Sequence, residues 1–159
     1  MTVFLQSQIQ INHNLVKIKQ QPKCSFFCVY NGHNGVNYAD FLKYNLHQYV
    51  IQQSSFPQNP IDALIQGFDQ CEQAFSQLDL NNANQIDRSG SCALVLLIVG
   101  EIIYVANVGD SRPVLSVKFG QKVSSLLKDH KPDQEYEKNR ILQAGGRIYY
   151  QSKFILFFY

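Results

Sequence analysis

The run Cys92-Ala93-Leu94-Val95-Leu96-Leu97-Ile98-Val99, then Gly100-Glu101, then a second largely apolar run over 102–108, constrains the fold of this chain more than any other segment. Successive side chains of a strand point to opposite faces, so Leu94, Leu96 and Ile98 share one face and Val95, Leu97 and Val99 the other. Both faces of any sheet containing this segment must therefore be covered. Glycine at the first place of a two-residue turn suits type II′ geometry, whose twist matches that of the strands it joins. The expectation is an antiparallel hairpin with amphipathic helices on one face and another sheet on the other.

The flanking sequence supplies the covering elements. Over residues 1–23 apolar and polar side chains alternate through Val3, Leu5, Ile9 and Ile11 and then Leu15, Val16 and Ile18, which fits one or two short strands joined near Asn12-His13-Asn14. Residues 25–30, Ser-Phe-Phe-Cys-Val-Tyr, form a further strand, apolar on both faces and stopping at Asn31-Gly32. From Val36 the spacing turns helical, with Ala39, Leu42, Leu46 and Tyr49 on the same face as Val36, until Ser54-Ser55 and Pro57 break it. Asn59 is an N-cap followed by Pro60 at the first helical place, opening a helix through Ile61, Leu64, Ile65, Phe68, Cys71, Phe75 and Leu78 that ends at Asn81-Asn82-Ala83-Asn84. After the hairpin, strands over 113–119 and 122–127 precede a helix through Glu135, Tyr136, Ile141 and Leu142, closed by Gly145-Gly146, and another strand starts over 147–150.

Composition narrows the function classes. At 159 residues the chain suits one domain with a real core, and its net charge of +2 is scattered, without the basic block that a nucleic-acid backbone wants. No apolar run is long enough to span a bilayer and residues 1–10 lack the features of a signal peptide, so a cytoplasmic or nuclear location is expected. Cys24, Cys28, Cys71 and Cys92 show no zinc spacing and read as buried thiols. Glutamine and asparagine are interleaved with periodic apolar residues, so neither a low-complexity segment nor an internal repeat is present.

Five short segments carry the chemistry, in this order: Asn31-Gly32-His33-Asn34-Gly35, Ser89-Gly90-Ser91, Asn107-Val108-Gly109-Asp110-Ser111-Arg112, Asp129-His130-Lys131-Pro132, and Ala144-Gly145-Gly146-Arg147. Together they resemble the metal-dependent protein phosphatases of type 2C, which hydrolyse phosphoserine and phosphothreonine esters with paired divalent cations. The resemblance spans about residues 24–150, and five ordered matches are far more specific than one loose glycine motif. It implies an α+β fold, a four-layer sandwich of two mainly antiparallel β-sheets flanked by helices, here in partial form. It also implies a Mg or Mn cofactor and a phosphoprotein substrate.

The resemblance further implies a metal-bridging side chain at Asn31, a metal-binding backbone carbonyl at Gly32, a third and weaker metal position at Asp110, and a proton donor to the leaving oxygen at His33. Asp110 equally suits a tight Gly-Asp turn, and His33 a hydrogen bond within its own turn. Arg112 and Asp129-His130 read as structural hydrogen-bonding positions. The family has aspartate where this chain has Asn31, and an amide lacks that charge and presents NH₂ where a ligand oxygen would be. Residues 1–39 contain no aspartate, glutamate or arginine, so the acidic pair and phosphate-binding arginine of the family's first strands have no counterpart. The family's later metal segments lie beyond the equivalent of Gly146, so the resemblance covers about half of its catalytic domain.

The sequence-based expectation is therefore a partial type 2C phosphatase-like domain over residues 1–152 and an apolar C-terminal tail over 153–159. The tail fits either a terminal strand or a truncated or misread gene. The function expected is that of a catalytically impaired domain acting as an interaction or structural module, with a partner chain covering its incomplete sheet. The alternative is an active Mg- or Mn-dependent phosphatase whose missing ligands lie on a longer chain.

Overall fold

A computed structural model describes residues 2–8, 22–81, 87–151 and 154–158. The elements run β1 (Thr2–Gln8), β2 (Cys24–His33), α1 (Asn37–Ile51), α2 (Pro60–Asn81), β3 (Gly90–Val99), β4 (Ile102–Val108), β5 (Val114–Val117), β6 (Lys122–Ser125), α3 (Glu135–Gln143), β7 (Arg147–Gln151) and β8 (Phe154–Phe158). They fall into two compact units, Met1–Ala106 and Asn107–Tyr159. The fold is α+β with antiparallel sheets, as expected. The expected turn at Asn12-His13-Asn14, the strand positions Ile9, Ile11, Leu15, Val16 and Ile18, and the helix stop at Asn82-Ala83-Asn84 lie outside the described residues.

The first unit is built on a sheet ordered β1-β2-β3-β4. In the β2–β3 register Phe26 faces Leu97, Cys28 faces Val95 and Tyr30 faces Ala93, so these six side chains share one face. All are buried, and they join Ala39, Leu42, Leu46 and Val50 of α1 and Ala63, Leu64 and Cys71 of α2 in one core. Burial pushes the Cys71 thiol up to about 12, and none of the four cysteines is in a disulfide. The opposite face, with Phe27, Val29, Leu94, Leu96 and Ile98, is half-buried. Gly100 turns the β3–β4 hairpin at φ +61°, the positive dihedral that a II′ turn needs at that place.

Both helices form where expected; α1 buries the expected Ala39, Leu42 and Leu46, whereas the buried face of α2 is rotated from the expected one. Val36, Ile61, Ile65 and Leu78 are more than half exposed, while Val50 and Ala63 are fully buried. The reason is a close helix crossing. A Cβ at Gly67 would lie 2.6 Å from Val50 Cγ2 and 2.9 Å from Val50 Cα, so α2 turns its small residues, Ala63 and Gly67, inward and its isoleucines outward. Asn59 caps α2 as expected, its Oδ1 accepting the Asp62 N–H at 3.3 Å. Buried Gln53 ties the pair together, donating from Nε2 to Tyr49 O and to Gln70 Oε1, each at 2.8 Å.

In the second unit β5 and β6 pair antiparallel. β5 is shorter than the expected 113–119 because Lys118 and Phe119 take φ +53° and +55° and start the turn. After α3, Gly145 at φ +81° donates to Leu142 O and Gly146 donates to Ile141 O, a Schellman ending of the kind expected of Gly145-Gly146. Residues 154–158 pair with β7.

Candidate active site

The site is built at the end of β2. The strand does not stop at Asn31-Gly32 as expected but continues through His33, with Asn31 opposite Cys92, Gly32 opposite Ser91 and His33 opposite Gly90. The hydrogen-bonding partner strand extends to Gly90, and this outweighs the local turn preference of Asn-Gly. Only then do Asn34, at φ +56°, and Gly35, at φ +144°, swing the chain into α1. Glycine at position 32 reflects crowding, since a Cβ there would lie 3.1 Å from Ala39 Cβ and 3.2 Å from Gly35 O. Asn31 and His33 are exposed.

The segment before β3 braces this loop. Val36, at the start of α1, offers no side-chain cap, and the Ser89 hydroxyl instead accepts the Tyr38 N–H at 3.0 Å from 51 positions away. Asp87 in turn accepts the Ser89 N–H at 2.7 Å through Oδ1 and the Asn37 amide at 2.7 Å through Oδ2. These hydrogen bonds, the Ser89 amide first, hold the Asp87 carboxyl below its ordinary range. Ser89 is also tight against the turn, for a Cβ on Gly35 would come within 3.0 Å of its Cβ. Gly90 lies directly under the His33 ring, where an added Cβ would be 2.4 Å from Nε2 and 2.9 Å from Cε1. Asp87 was not picked out by sequence reasoning; its only local signal is an aspartate two residues before a serine, the spacing of an Asx turn.

Asp110 belongs to the second unit, in the turn that follows β4. It is exposed and follows Gly109 at φ +106°. The Gly109 carbonyl accepts from Asn107 Nδ2 at 3.0 Å and from the His130 backbone N–H at 3.0 Å, while the Gly109 N–H donates to His130 Nδ1 at 3.4 Å. Arg112 reaches Asp129 with two donors, Nε to Oδ1 at 3.0 Å and Nη2 to Oδ2 at 2.5 Å. Arg112 first, and Lys131 at 3.8 Å with it, holds the buried Asp129 carboxyl below the usual range. Tyr136 donates its hydroxyl to the Asp129 carbonyl. Arg112, Asp129 and His130 are thus the hydrogen-bonding positions that the motifs suggested.

The donor set limits the chemistry. The strand end provides the neutral amide of Asn31, the peptide carbonyl of Gly32 and the imidazole of His33. The nearby carboxylate of Asp87 is engaged with Ser89 and Asn37. Among the described residues, no three His, Cys, Asp or Glu side chains come together in a group that could hold a metal ion. Two hard divalent cations need several anionic oxygens to offset their repulsion, and these donors do not fit a dinuclear centre. An imidazole at an exposed strand end can still transfer a proton.

Comparison with known proteins is consistent with these segments. A model of the family described as Protein phosphatase 2C matches residues 3–155. A probable protein phosphatase 2C of Caenorhabditis elegans is 38% identical over 136 residues, covering 85% of this chain and 37% of the relative. Protein phosphatase 1E of Mus musculus is 37% identical over 134 residues, covering 84% and 17%. Protein phosphatase 2C homolog 2 of Hypocrea jecorina is 42% identical over 128 residues, covering 79% and 28%. The chain thus spans well under half the length of these relatives. A serine-threonine phosphatase 2C of Toxoplasma gondii has the same fold at TM-score 0.69 and 19% identity, over 95% of this chain and 56% of that one. The structure described as that of a C. elegans sex determining protein matches at TM-score 0.71 and 18% identity, over 99% and 41%.

Proposed function

Because this chain belongs to the protein phosphatase 2C family, we propose that it is a phosphatase-fold domain impaired in metal-dependent hydrolysis and acting as an interaction or structural module. The observation that carries this reading is Asn31, a neutral amide at the strand end where the family places a bridging carboxylate. A bound Mg or Mn pair would supply the ionised water that attacks phosphorus, and the strand-end donors, the Asn31 amide and the Gly32 carbonyl, carry no charge to retain it. His33 keeps the chemistry of a proton donor to the leaving oxygen but has no activated nucleophile to serve. A phosphoprotein that is bound and not turned over, or another protein partner, is the ligand class this reading implies, with a cytoplasmic or nuclear site of action.

A second reading is favoured by the covered share of the relatives, 37% and 17% in two of them. In that reading the missing acids lie on a longer chain and the complete protein is an active Mg- or Mn-dependent phosphoserine and phosphothreonine phosphatase. Hydrolysis of an aryl phosphate and of a phosphothreonine peptide, with and without Mn²⁺, separates the two. The impaired reading predicts no metal-dependent turnover above buffer for the 159-residue chain. Metal-dependent turnover that His33→Ala abolishes would overturn it.

A further inference from the structure

We propose that Ser89 and Gly90, braced by Asp87, are positioning residues that form a seat for the His33 imidazole at the mouth of the site. The inference rests on the reading of His33 as the proton-donating position, and it concerns the part of the site that needs no metal.

Three contacts make the seat. Gly90 faces His33 across the β2–β3 ladder, and the ring lies so close that a Cβ on Gly90 would stand 2.4 Å from Nε2, 2.9 Å from Cε1 and 3.2 Å from Cδ2. Real carbon atoms do not approach nitrogen so closely, so the imidazole occupies the space that a side chain at position 90 would take. Ser89, one residue earlier, holds the Tyr38 N–H at 3.0 Å and packs against Gly35, fixing both the first turn of α1 and the loop that leaves His33. Asp87 fixes the Ser89 backbone at 2.7 Å and reaches Asn37 at 2.7 Å, so the brace grips α1 at two successive residues. The ring is thereby limited from below by Gly90, and its backbone is limited by the brace.

The seat makes a prediction that distinguishes it from ordinary packing. The atom nearest to a Cβ at position 90 is the far end of an exposed side chain, which can swing away at little cost to the fold. Gly90→Ala is therefore expected to fold and yet displace the imidazole. Ser89→Ala should speed exchange of the Tyr38 amide about fivefold, the loss of one ordinary hydrogen bond, whereas Ser89→Thr keeps the hydroxyl and should restore protection.

The test is imidazole and amide NMR on the full chain without added metal. The wild-type chain should show a nuclear Overhauser effect between a His33 ring proton and the Gly90 Hα, needing no variant. Gly90→Ala should abolish it and shift the His33 ring resonances while amide resonances remote from residues 31–38 and 87–92 keep their positions. Absence of the wild-type effect, or unchanged His33 resonances in Gly90→Ala, or unchanged Tyr38 exchange in Ser89→Ala, would overturn the seat. Phosphatase activity does not enter these measurements: turnover by the chain would refute the impaired reading and leave the seat standing, and failure of the seat would leave the question of turnover open.

Discussion

At position 31 the change from a carboxylate to an amide swaps one oxygen for NH₂ and removes one charge. Two divalent ions about 4 Å apart repel by about 4 kcal/mol even at the dielectric of water, and by about four times that at the effective dielectric of a protein surface. A bridging carboxylate sets a negative charge against both ions at once, whereas an amide offers only the dipole of one carbonyl oxygen. Glu137 shows the converse case, a charge kept under cover because it has a partner. It is only 2% exposed, and Arg140 donates to it from Nε at 2.8 Å and from Nη2 at 2.6 Å. The Arg140 hydrogen bond, more than any other cause, lowers the Glu137 pKa. A carboxyl with a depressed folded pKa contributes stability that is present above its unfolded value, about 4.3, and is lost as the pH falls through the folded one. Acid titration followed by circular dichroism should therefore show Glu137→Gln losing less stability between neutral pH and the region below about pH 4 than the wild-type chain does. Arg140→Ala should cost about 1 kcal/mol at neutral pH, the low end of the range because Arg140 is half exposed and screened. An Arg140→Ala chain as stable as wild type in urea would show that the pair contributes nothing.

Among the elements, legibility followed the range of the forces involved. The β3–β4 hairpin, the Asn59 cap and the Gly145-Gly146 ending depend on neighbours in sequence, and all three appear where the local residue types put them. The face of α1 is also largely the one its spacing gives, with Ala39, Leu42 and Leu46 buried, but that of α2 is not, because its rotation is set by the contact of Gly67 with Val50, which no spacing within the helix reveals. The same holds at the candidate site. Asn31, Gly32 and His33 were legible as a motif, but their continuation as a strand depends on pairing with β3, and the brace of Asp87 and Ser89 spans about 50 positions. The burial of Glu137 was equally hidden, since a glutamate in a helix normally faces water. The helix crossing gives its own prediction. Gly67→Ala places a methyl within 2.9 Å of Val50 backbone atoms, which cannot move without moving the helix. Such overpacking should destabilise the chain by about 1–3 kcal/mol in urea unfolding. A variant within about 0.5 kcal/mol of wild type would show that the helices can part there freely.

For the molecule as a whole, fold and catalytic charge are separate inheritances. The core of Phe26, Cys28, Tyr30, Ala93, Val95 and Leu97 with the inner faces of α1 and α2 requires only apolar volume. That requirement is satisfied here, and the likeness in fold to a solved phosphatase 2C structure extends over 95% of the chain. A dinuclear site requires several carboxylates aimed at one place, which packing does not enforce. A chain can therefore keep the scaffold while its metal ligands are lost or reside elsewhere. The direct test is a calorimetric titration of the unaltered chain and of Asn31→Asp with Mn²⁺. The account predicts no saturable uptake by the unaltered chain below about 1 mM, and measurably tighter uptake by Asn31→Asp, whose added carboxylate restores a negative charge at the strand end. Two equivalents of Mn²⁺ bound by the unaltered chain with a Kd near about 1 μM would contradict it.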